Sequence, residues 1–115
     1  MPNAALTLLL GWLMMATAGQ APAGLQSSIA ALGSFDFDTR TSAARQLRRA
    51  PAGEVVPLLE AAARSHEDQY VRFRALVLLS GIDVGTMTRV APSLVGDSND
   101  RVRAVVYQWL EHHPQ

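Results

Sequence analysis

Val71-Arg72-Phe73-Arg74-Ala75-Leu76-Val77-Leu78-Leu79 is the stretch whose frame the rest of the chain repeats. At about 100° per residue, Val71, Ala75, Leu78 and Leu79 share one stripe of a helix, with Phe73 and Val77 on the far side. The frame recurs upstream as Thr39-Arg40, Ala43-Ala44 and Leu47, and downstream as Val102-Arg103, Val106-Tyr107 and Leu110. Arg40, Arg72 and Arg103 stand 32 and 31 residues apart, the spacing of a helical repeat. Each unit would leave an apolar face that only its neighbours can cover. The spacing therefore predicts an all-α fold, an α-solenoid of about three antiparallel helix pairs.

Composition agrees with that expectation. Of 115 residues, 49% are hydrophobic and only 6% aromatic, which suits closely packed Ala, Leu and Val on helices. The ten basic residues, all arginine, are cancelled by ten acidic ones. A net charge of zero gives no global field toward nucleic acid or anionic membranes. With no cysteine, a disulfide framework, a thiolate metal site and a thiol nucleophile are excluded.

The N-terminus reads differently. Residues 4–18, AALTLLLGWLMMATA, form an uncharged apolar run followed by the breaker-rich GQAPAG. The run falls short of the about 20 residues that a membrane-spanning helix requires. It does fit the about 7–15-residue core of a secretory signal, with Ala16-Thr17-Ala18 as a small-x-small cleavage site. Residues 1–18 are thus expected to be a signal peptide and 19–24 a linker, leaving a mature chain without a membrane span that is periplasmic or secreted. Residues 1–5 lack Arg and Lys; the alternatives are an uncleaved membrane anchor and a buried first helix capping the array.

From residue 25 the helix-period segments alternate with short breaks. Leu25, Ile29 and Leu32 make a first stripe, ended by Gly33-Ser34. Asp36 or Asp38 can cap a second helix over 39–49, stopped before Pro51. A third covers 54–65 with Val55, Leu58, Leu59 and Ala62 inward and Pro57 in its first turn, where the missing N–H is harmless. Asp68 caps the Val71 helix, which Ser80-Gly81 ends, and 82–85 form the longest connection. A helix over 86–95, with Pro92 inside it, is expected to kink or to start late near Val90. The last runs over 101–112. The repeats are then 25–50, 54–81 and 86–113.

Set side by side, the repeats resemble HEAT repeats, particularly the short type of phycobilisome lyases. Val95-Gly96-Asp97-Ser98-Asn99-Asp100-Arg101-Val102-Arg103 closely matches that family's turn and the Asp-x-x-Val-Arg start of its second helix, with Asn99 at the Asp position. Leu32 to Arg40 aligns with it at a constant offset of 63, with Thr39 replacing Val. Pro57 and Pro92 take the first-helix proline position, 14 and 10 residues before Val71 and Val102. The resemblance covers 25–113. It implies a superhelix in which the arginine after Val reaches acidic or carbonyl groups near the turns. Arg40, Arg72 and Arg103 would thus form a ladder with Asp36, Asp68 and Asp97 or Asp100, a structural role.

No catalytic, cofactor or metal constellation emerges from the remaining residues. His112 and His113 are adjacent, so on a helix they point about 100° apart, and no HExxH spacing exists. They read as a solvated, frayed last turn. The serines lack a nucleophile frame, and no glycine-rich phosphate loop is present. Tyr107 and Trp109 are expected in the core, at positions equivalent to Leu76 and Leu78.

One surface invites a partner. Opposite the apolar stripes lie Thr41, Arg45 and Arg48 in the first repeat, Phe73 and Val77 in the second, and Ala104, Gln108 and Glu111 in the third. Second helices are expected to line the concave side, placing an apolar Phe73/Val77 centre between a basic rim (Arg45, Arg48, Arg49) and a neutral to acidic one. The alternative is that both side chains pack against adjacent helices. The expected function is a non-enzymatic scaffold of the bacterial envelope, without cofactor. It would bind a protein or peptide through Arg45, Arg48, Phe73, Val77 and Gln108, and no nucleic acid. A chromophore-attachment accessory of the bilin-lyase kind and a structural fragment of a longer array are the alternatives. Self-association through the C-terminal repeat is a further expectation.

Overall fold

A computed structural model describes residues 23–115. The apolar run at 4–18, and with it the signal-peptide expectation, lies outside the described residues. Six helices follow in order: α1 Ala23–Ala31, α2 Phe37–Arg49, α3 Ala52–Ser65, α4 Gln69–Ile82, α5 Val84–Val90, which continues as a 3-10 turn over Ala91–Leu94, and α6 Asp100–His112. They pack as three pairs, α1 with α2, α3 with α4, and α5 with α6 through its 3-10 turn. First helices also touch first helices and second helices touch second, so the pairs stack into two layers. This is an all-helical α-solenoid.

One turn design is used three times. Asp36, Asp68 and Asn99 are the N-caps of the second helices, their side chains accepting from N–H groups that no helical carbonyl reaches. Two residues earlier stand Ser34, His66 and Asp97. The Ser34 Oγ, the His66 Nδ1 and the Asp97 Oδ1 each accept from the cap residue's N–H, at 3.1, 3.0 and 2.8 Å. Four residues after each cap, Arg40, Arg72 and Arg103 reach back. Their Nη1 groups donate to the carbonyls of Ser34, His66 and Asp97 at 2.9, 2.9 and 2.7 Å. The arginine that marks the repeat in sequence therefore closes its own turn.

The stripes are buried as their periodicity requires. Val71, Ala75 and Leu79 are within 1% of full burial, and Leu47, Leu59, Val102 and Val106 are fully covered. Each such Val or Leu contributes about 1.5–3 kcal/mol relative to exposure. Leu76 is also fully buried, because α4 has neighbours on several sides: α3, the second helices α2 and α6, and also α1 and α5. Gly33 packs closely against the second repeat. A Cβ there would crowd the Asp68 carboxylate and lie 3.0 Å from Val71 Cγ2, so its lack of a side chain eases the approach of the first turn to the second repeat.

Several boundaries differ from expectation. α3 begins at Ala52, with Pro51 at its N-cap, so Pro57 lies in the second turn and removes an internal hydrogen bond. Pro57 and Gly53, whose carbonyl loses that donor, are both exposed, and water can take its place. Gly81 does not end α4. The helix continues to Ile82, and the single residue Asp83 separates it from α5. That residue serves both helices. Its N–H donates to Leu79 O, while its carboxylate accepts from Thr86 N–H and the Thr86 hydroxyl. Pro92 falls in the 3-10 turn, which is the expected kink.

The C-terminal end also departs from the sequence reading. Tyr107 is 54% exposed, its hydroxyl donating to Val95 O, and not a core residue. Trp109 is half-buried. The His113 ring stacks on it at 3.7 Å between centroids, 12° from parallel, so that histidine is held rather than frayed. The Trp109 Nε1–H is buried without a partner among the described residues.

Candidate functional site

The polar contacts between repeats are unevenly placed. Between the second and third, Arg72 donates from Nε and Nη2 to the two oxygens of Asp97, each at 3.2 Å, and Nη2 also reaches Ser98 Oγ. Both side chains are nearly buried, with 13% and 8% of their surface exposed. Burial pushes the Asp97 carboxyl up. The Arg72 guanidinium and the Asn99 N–H outweigh that and hold it below the usual carboxylate range. Asn99 Nδ2 donates to Gln69 Oε1 at 2.7 Å across the same junction. In the first-helix layer, Arg89 grips both oxygens of Glu60 at 2.8 and 2.9 Å, and Arg64 joins Glu60 to Ser93. Hydrogen bonds from Arg89 and Arg64 hold the Glu60 carboxyl low.

Only one rung of the ladder implied by the family resemblance has this form. Asp36 caps α2, and the Thr39 hydroxyl and N–H hold its carboxyl low; Arg40 is near enough to add a weaker electrostatic pull. Asp68 accepts from Tyr70 N–H, and among the described residues no arginine bonds to it. Asp100 is exposed in the first turn of α6 and forms no ion pair among the described residues. The acid that pairs with an arginine of the preceding repeat must stand where Asp97 does. The equivalent residue in the second repeat is His66, so Arg40 has no carboxylate there.

Between α2 and α4 the second-helix layer opens into a cleft of about 250 Å³. Leu32, Ala44, Phe73, Val77 and Leu78 give it an apolar floor, and Arg40, Thr41, Arg48 and Arg74 line its edge. Phe73 is half-buried against the core and Val77 is 43% exposed, so both remain accessible. Arg48, Phe73 and Val77 are thereby brought together. Gln108 is not with them. It lines a separate recess with Ser80, Val105, Trp109, His112 and His113. Arg45 is exposed on α2 but does not line the cleft.

Two arginines that matter here were not singled out from sequence. Arg74 Nη1 donates to Leu32 O at 2.7 Å, tying α4 to the end of α1. Burial, with Arg40 and Arg101 close by, pulls its guanidinium below the ordinary value. Arg101 lies over the Phe73 ring, 5.9 Å from its centroid. Arg40 lies 5.7 Å over Phe37, which is 68% exposed at the start of α2. The cue available in sequence was charge on the non-stripe side of α4 and α6. It is weak, because helix arginines generally face solvent.

Among the described residues no group of acidic and histidine side chains could hold a metal ion. No helix among them is long and apolar enough to cross a membrane. A repeat stack with a small apolar cleft on its second-helix layer has the architecture of an interaction module. The model of HEAT repeats matches residues 25–111, and the chain belongs to that family. No curated protein and no solved structure matches it.

Proposed function

We propose that the protein is a non-enzymatic scaffold that binds a protein or peptide on its second-helix face, at the cleft between α2 and α4. The observation that carries this is the partial exposure of Phe73 and Val77 beside exposed Arg48 within one cleft. Apolar centres with arginine at the rim are the composition of binding hot spots. The cleft is smaller than the about 300–1,000 Å³ of small-molecule sites. It accommodates a side chain or two of a larger partner.

Phe73→Asp tests the reading. Partner capture from the envelope fraction is expected to vanish while helicity measured by circular dichroism is unchanged. Capture equal to wild type would move the site elsewhere. The apolar run at 4–18 supports export to the bacterial envelope. Mass determination of the purified protein should then show cleavage after residue 18, and an intact N-terminus would oppose export through a cleaved signal.

A second reading, self-association through the third repeat, is supported by the partial exposure of Val105, Trp109 and Leu110 on α6. A concentration-independent monomer in sedimentation would remove this reading.

A further inference from the structure

The formal charge of zero hides a strong segregation of charge. Helix α2 carries Arg40, Arg45, Arg48 and Arg49 against Asp38 alone, and α4 carries Arg72 and Arg74 with no acid. The acids gather instead at the turns, as Asp36, Glu67, Asp68, Asp83 and Asp97. In the first-helix layer, Arg64 and Arg89 are neutralised by Glu60. Arg72 is neutralised by Asp97. Around the cleft, Arg40, Arg48, Arg74 and Arg101 form no ion pair among the described residues, and no carboxylate lines it.

Resting on the reading of the cleft as the binding face, we infer that its occupant is a short acidic peptide segment. It would set one apolar side chain on Phe73 and Val77 and carboxylates against Arg40, Arg48, Arg74 and Arg101. Guanidinium forks match carboxylates in shape as well as charge, and like-charged guanidiniums held together gain most from an anion placed between them. A carboxylate arriving at Arg74 meets a site already partly stripped of water, where the attraction is stronger than at an open surface. The acidic turns bound the basic strip on one edge, through Asp36, Glu67 and Asp68. A long polyanion such as nucleic acid would run onto them and be repelled. A short segment stays within the strip.

The test uses the full chain and a fluorescein-labelled peptide with a leucine pair between runs of glutamate. Matched peptides replace the glutamates with glutamine or lysine, or the leucines with glycine. Fluorescence anisotropy should show binding of the glutamate–leucine peptide that weakens as salt rises. Each replacement, in the peptide or as Arg48→Glu in the exposed rim, should lower affinity roughly tenfold. Arg89→Glu, in the other layer, should leave it unchanged.

Phe73→Asp should abolish binding. Val77→Asp, at a more exposed position, gives the same readout should Phe73→Asp perturb the fold. Binding of the glutamine or lysine peptide as tightly, still lost in Phe73→Asp, would overturn the acidic assignment and leave the cleft as the binding face. Binding insensitive to both Phe73→Asp and Val77→Asp would overturn both. No binding by any peptide, or tighter binding to single-stranded DNA or to phosphatidylserine vesicles, would overturn the acidic-peptide assignment.

Discussion

Between the second and third repeats, Arg72 forks onto Asp97, Asn99 bonds Gln69, and Glu60 is held by Arg89. Between the first and second, the one side-chain hydrogen bond among the described residues runs from Arg74 to Leu32 O. The two junctions share turn design and stacking, so the difference lies in single residues. At the position where the third repeat has Asp97, the second has His66. Both side chains accept from the cap residue's N–H, and only Asp97 can also neutralise an arginine. The tightly laced junction leaves little of its arginine exposed, whereas the other leaves Arg40 and Arg48 at the edge of an apolar cleft. In a repeat protein, stability is close to a sum of units and interfaces, so one interface can be relaxed without unfolding the rest.

The comparison can be broken most severely at Arg72. Arg72→Met leaves a nearly buried Asp97 without its counter-ion and should cost about 3 kcal/mol, read as a lower midpoint in urea. A variant within error of wild type would mean that the second junction owes little to this pair. Gly33→Ala attacks the other junction. The added Cβ meets Asp68 and Val71, and about 2 kcal/mol should be lost as the first repeat is pushed away.

Acid should act on the second junction through Asp97. Its folded pKa lies below the ordinary value of 3.8, so its contribution is present in full above that value. It is lost as pH falls through the lowered folded value. The stability difference between wild type and Asp97→Asn should therefore be constant near neutrality and shrink as the solution is acidified below pH 3.8. A difference that grew on acidification would contradict the assigned sign. The smallest effect belongs to His66→Asp, which offers Arg40 the missing carboxylate. A gain of about 0.5 kcal/mol is expected, raising the thermal midpoint by a few degrees at most.

Much of the stack was legible because its signals are periodic. Val71, Ala75 and Leu79 announce a buried stripe, and Arg40, Arg72 and Arg103 announce the period. The three-helix-pair solenoid follows from those residues together with the caps Asp36 and Asp68. The extents of individual helices were less legible. Gly81 looks like a stop, yet Asp83 satisfies both helix ends and lets α4 run on to Ile82. Pro57 looks like a first-turn residue, yet exposure of its surroundings permits it a turn later.

At the candidate site, Phe73, Val77 and Arg48 stood out as residues opposite the apolar stripe. Gln108, chosen by the same rule, lines another recess, because equal helix phase in different repeats does not imply a shared cleft. Arg74 and Arg101 escaped notice because their roles depend on the distance between neighbouring second helices. The sequence period does not encode that distance.

Hydrogen exchange measured by mass spectrometry on the full chain reads the two junctions side by side. Exchange should be faster in the first turn and the start of α2, residues 34–42, than in the matching segment of the third repeat, residues 97–105. Arg72→Met should erase that difference. Equal protection of the two segments in the wild type, or slower exchange at 34–42, would contradict the contrast between the two junctions.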